Sequence, residues 1–82
     1  MTRIITGSQC RMARALVRIS ERELAKRSGI GLSTLRNIES VEGIPSARIV
    51  NIQALHDVLL ATGKIEFIGT DTVRLINPES DK

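Results

Sequence analysis

The stretch Ser20–Glu39, SERELAKRSGIGLSTLRNIE, constrains this chain most, because a helix start, a helix stop and a second helix fall within 20 residues. Ser20 with Glu23 three residues on forms the S-x-x-E capping box, so a helix is predicted from Glu21. Leu24 and Ala25 form its apolar side, while Arg22, Lys26 and Arg27 face outward. Gly29 enters the left-handed region without a Cβ penalty and stops the helix near Ser28. Leu35 and Ile38 then resume apolar spacing and pack with Ile30 onto the first helix, leaving Leu32, Ser33, Arg36 and Asn37 pointing away. Ala25 is small enough to let the two helices cross closely. The outward set is short and uncharged apart from Arg36, whereas a helix built only for solubility carries Glu and Lys.

Through Ser20, Leu24-Ala25, Gly29, Ile30, Thr34-Leu35, Ile38-Glu39, Gly43 and Pro45, residues 8 to 60 resemble the Cro/phage-repressor (XRE) type of helix-turn-helix regulator. The resemblance implies a mainly α fold: a four-to-five-helix λ-repressor-like DNA-binding domain over residues 8–63. It also implies double-stranded DNA as partner, a homodimer on near-palindromic operators, and no cofactor. An Arg14–Glu39 pair tying the first helix to the reading helix follows from it too; otherwise these are two unrelated surface charges. Two positions depart from the family pattern. Glu21 replaces a Gln that contacts phosphate and supports a reading side chain, and Gly31 replaces a capping Ser or Thr.

Eighty-two residues with one aromatic, Phe67, predict one small domain with an aliphatic core that a partner subunit would help to stabilise. A single cysteine forms no internal disulfide, and neither a signal peptide nor a membrane-length apolar run is present, so a cytoplasmic location is expected. Cys10, at helical spacing from Ala13 and Val17, reads as a core residue rather than a nucleophile or metal ligand. Residues 1 to 48 carry nine Arg/Lys against four Asp/Glu, and residues 49 to 82 three against five. The basic half contains the two-helix motif, which suits phosphate binding, although an ordinary solvated surface would look the same.

Residues 1–7 are an arm without helical period, either frayed or a short strand. Ser8 is expected to cap a helix to about Val17, with Met12, Ala13, Leu16 and Val17 facing the core and Arg11 and Arg18 outside. Gly43 and Pro45 interrupt the period in a loop, after which Pro45 or Ser46 starts a helix to Thr62, stopped by Gly63. That helix is apolar on more than one face. His56 stands alone in it, and reads as a surface or interface residue rather than a metal site. Lys64–Ile68 and Thr72–Ile76 around Gly69-Thr70-Asp71 predict a C-terminal β-hairpin over residues 64–77, followed by a disordered tail 78–82. The family has a fifth helix in this place. A lone hairpin is marginal in water, so hairpin and fourth helix are expected to form the dimer interface through Leu55, Val58, Leu59, Ile65, Phe67, Val73 and Leu75.

A helix-turn-helix sets its second helix in the major groove, which makes Leu32, Ser33 and Asn37 candidate base readers. Asn37 matches adenine N6 and N7, Ser33 suits several base edges, and Leu32 suits a thymine methyl. Arg36 is assigned either a bidentate guanine contact or, like Thr34, a phosphate or flanking base. Ser20, Arg22 and Ser40 are expected on phosphates, with Arg11 and Arg48 as outer candidates. The expected function is a dimeric, autoregulating repressor that can also activate, carried on a mobile element. The alternatives are an antitoxin of the same fold that represses its own operon and holds a toxin, or a protein-interaction module that lost DNA binding, and a toxin or an antiactivator is the protein partner expected. With one His, one Cys and no phosphate-cradling loop, neither an enzyme nor a metal site is expected.

Overall fold

The computed structural model describes residues 4–76, so the disordered tail expected at 78–82 lies outside the described residues. Four helices, α1 (Gly7–Val17), α2 (Glu21–Ser28), α3 (Leu32–Glu39) and α4 (Ile49–Ala61), precede a two-stranded hairpin of β1 (Ile65–Ile68) and β2 (Thr72–Leu75). The strands pair antiparallel, with Ile65 opposite Leu75 and Phe67 opposite Val73. Each helix contributes to one aliphatic core: Cys10, Ala13 and Val17 from α1, Leu24 and Ala25 from α2, Leu35 and Ile38 from α3, and Ile52, Leu55 and Leu59 from α4. Ile5 and Ile65 close it from the two ends of the chain.

α1 departs from its expected form. Its cap is Thr6, not Ser8: the Thr6 hydroxyl accepts from Gln9 N–H, and Gln9 Oε1 accepts from Thr6 N–H. This T-x-x-Q box was available in the sequence and is the same device as S-x-x-E. The buried stripe runs through Gln9, Cys10, Ala13 and Val17, with Gln9 and Cys10 fully buried, whereas Met12 and Leu16 are exposed rather than core. The helix ends on Arg18 with φ 62°, a left-handed conformation in a residue with a side chain. It is held there because Arg18 N–H donates to Ala15 O and Ile19 N–H to Arg14 O.

α2 ends at Gly29 in the left-handed conformation (φ 74°), as its sequence predicts. Its capping box is only half made. Ser20 accepts from Glu23 N–H, but the Glu23 carboxylate takes Arg27 Nε at 2.7 Å instead of turning back. α4 starts at Ile49, later than expected, because Pro45 is buried and Ala47 packs on the core, which holds this segment off the helix; Arg48 is an extended cap. Gly63 (φ 73°) follows the Thr62 cap and terminates α4.

The hairpin forms where expected and is bound to the body by polar ties as well as by Ile65. Gln9 Nε2 donates to the carbonyls of Gly69 (3.1 Å) and Thr72 (3.0 Å), and the Thr6 hydroxyl donates to Thr70 O at 2.8 Å. His56 is buried rather than at the surface: its Nδ1 donates to Asp57 Oδ1 at 2.9 Å and its ring stacks on Phe67 with centroids 5.3 Å apart. Among the described residues no helix is long and apolar enough to cross a membrane.

Candidate nucleic-acid interface

α2 and α3 are joined by the three residues Gly29-Ile30-Gly31. Ile30 is partly buried against the core, and its N–H donates to Ala25 O, which fixes the turn to the first helix. Leu35 and Ile38 face inward from α3 with at most 1% exposure. Ser33, Arg36 and Asn37, at i, i+3 and i+4, are therefore driven together onto the outer face, all exposed. Ser40 is exposed at the end of the same helix, its hydroxyl donating to Asn37 O at 2.7 Å. Leu32 differs from the expectation. It is partly buried and packs against the core, which leaves only part of its side chain at the surface. Thr34 is likewise half-buried.

The orientation of α3 is set from behind by α1. Arg14 Nε and Nη2 donate to the two oxygens of Glu39 at 2.9 and 3.2 Å, a fork on a carboxylate that is 4% exposed. This is the Arg14–Glu39 pair that the resemblance implies. The Cys10 thiol donates to Glu39 Oε2 at 3.5 Å. Burial, reinforced by the neighbouring Glu39 charge, pushes that thiol far above its ordinary range, so it is a neutral core group. The Glu39 bond in turn raises the Arg14 guanidinium. Gly7 sits under the C-terminal end of α3, where a Cβ would collide with the carbonyl oxygens of Ile38 and Val41.

Arg11, expected on a phosphate, is engaged within the chain. Its Nη1 donates to the carbonyls of Glu39 and Val41 and its Nη2 to the Ser8 hydroxyl, so it caps the last carbonyls of α3. Ser20 is occupied as the α2 cap, although exposed. Arg22 and Arg48 are exposed, and neither has an ion-pair partner among the described residues. With Arg18 and Lys26, also exposed, they give free positive charge on and around α2 and at the start of α4.

The proposed dimer residues divide. Leu55, Leu59 and Ile65 are at most 1% exposed inside the chain's own core and have no surface to give a partner. Val58, Phe67 and Val73 are partly buried against that core, while Leu75 is 53% exposed. Sequence reasoning placed them all at an interface because apolar spacing cannot tell which of two apolar faces the rest of the chain will cover. It also missed Gln9 and Gly7, and it dropped Glu21, whose Oε1 accepts from Arg36 Nε at 3.3 Å. No family model, curated protein or solved structure matches the chain.

Proposed function

We propose that the chain is a sequence-specific DNA-binding regulator with a λ-repressor-like helix-turn-helix, in which α3 enters the major groove and α2 crosses the backbone. The observation that carries this reading is the outer face of α3: Ser33, Arg36 and Asn37 are exposed together on a helix whose other face is anchored by buried Leu35, Ile38 and Glu39. A rigidly seated helix offering an amide, a hydroxyl and a guanidinium meets the requirements of base-edge readout. Arg22 and Arg48, with the backbone at the N-terminus of α2, supply phosphate contacts.

One short reading helix binds weakly, so two copies act together on half-sites about one helical turn apart. The surface of Leu75, with the accessible parts of Val58, Phe67 and Val73, is what remains of the expected interface. The regulator acts as a repressor of its own operon. The test is a gel-shift on duplexes selected from a random-sequence library. A recovered two-fold symmetric site, with Asn37→Ala relaxing preference at one position per half-site by about 1–3 kcal/mol, is the expected result. Recovery of no common site would reject the reading.

A second reading is favoured by exposed Ile44 (58%), Ile49 (54%) and Val50 (65%), which suit a protein partner such as a toxin. Co-purification of a stoichiometric protein with no gel-shift at any salt would select it.

A further inference from the structure

Glu21 opens α2 and Arg36 lies on the outer face of α3, and an ion pair of 3.3 Å joins them across the turn. Both are open to solvent, Arg36 at 59% and Glu21 at 30% of the side chain, so the pair adds little to folding. Its consequence is directional. The bond uses Arg36 Nε, and among the described residues Nη1 and Nη2 donate to no protein acceptor. A guanidinium held at Nε presents its two terminal nitrogens as a planar, outward fork. Guanine alone offers two acceptors, O6 and N7, side by side on the major-groove edge to match that fork.

We propose that Glu21 is a positioning residue that aims the Arg36 fork at a guanine in each half-site. The inference rests on the DNA reading above. An unrestrained arginine on an exposed helix sweeps many conformers and finds phosphates in most of them, whereas one tethered at Nε is restricted to fewer. The carboxylate acts a second time, because its charge opposes phosphate and weakens binding that is independent of sequence. Glu21 therefore trades total affinity for discrimination at one base pair, and Arg36 belongs with the base readers rather than the phosphate contacts.

The experiment takes the best duplex selected by the wild-type chain, replaces the candidate guanine pair by each alternative, and compares four proteins on the set and on non-specific DNA. Wild type should favour guanine by about tenfold or more. Glu21→Ala removes the acceptor and should bring that preference to about twofold while non-specific binding tightens. Glu21→Gln keeps an acceptor oxygen without the charge, so it should keep most of the preference and still bind non-specific DNA more tightly. Arg36→Lys keeps charge without the fork and should lose the preference. A merely structural role would weaken specific and non-specific binding together, and the thermal midpoint, expected unchanged in all four, reads that directly. Wild-type preference retained in Glu21→Ala or in Arg36→Lys overturns the proposal while leaving the DNA reading intact. Failure of the wild type to select any site overturns both.

Discussion

α1 and the outer face of α3 carry similar chemistry and use it in opposite ways. On α1 the amide of Gln9 is fully buried and bonded at both ends, to Thr6 N–H and to three hairpin carbonyls. On α3 the amide of Asn37 is exposed. Arg14 forks onto a buried carboxylate, whereas Arg36 is tethered through one nitrogen at the surface. The difference shows that residue type does not separate polar groups spent inside the fold from those left at the surface. What separates them is whether the fold supplies partners: a buried polar group must find them within the chain, and an exposed one stays available.

The sharpest way to break this contrast is Arg14→Ala. It leaves Glu39 buried and uncompensated beside Cys10, and the expected loss is about 3–5 kcal/mol in urea unfolding. A loss below 1 kcal/mol would mean that water replaces the guanidinium and that α1 does not hold α3 as described. Next in size is Gly7→Ala. The added methyl meets two backbone carbonyls that cannot rotate away, so about 1–3 kcal/mol should be lost, in contrast to the usual gain from Gly to Ala in a helix.

Cys10 tests the same region through pH. Its folded-state thiol is raised, so the stability it confers is complete below the unfolded thiol pKa of about 8.5 and declines above it. The unfolded chain then binds fewer protons than the folded one, which gives a slope of up to about 1.4 kcal/mol per pH unit. Unfolding curves on either side of that pH should show the slope in the wild type and a shallower one in Cys10→Ala. The smallest effect belongs to the other side of the comparison: Asn37→Ala should leave stability within about 0.5 kcal/mol. A larger shift in its melting midpoint would place Asn37 among the structural groups.

Much of the core of this arrangement was legible in order. Ser20, Gly29 and the Leu35/Ile38 spacing marked the two helices, and Gly69-Thr70-Asp71 marked the hairpin, because caps, stops and turns act over a few residues. Met12 and Leu16 misled, since periodicity in a short helix does not say which face the C-terminal hairpin will cover. Leu55, Leu59 and Ile65 misled for the same reason, read as an interface when the chain itself encloses them. The exposed face of α3 was legible as the complement of a short apolar stripe, and Leu32 departs from it because it lies at the boundary between the two.

By itself, then, the sequence determined the local grammar: two short helices with a glycine-ended turn, a long apolar helix, a hairpin, and which side of α3 is apolar. Tertiary structure alone decided that Gln9 clamps the hairpin, that Arg11 caps α3, and that Glu21 reaches Arg36. These are contacts between residues 15 to 63 positions apart. Capping and periodicity carry no information about such pairs, because the partners meet only after the core has brought their helices together.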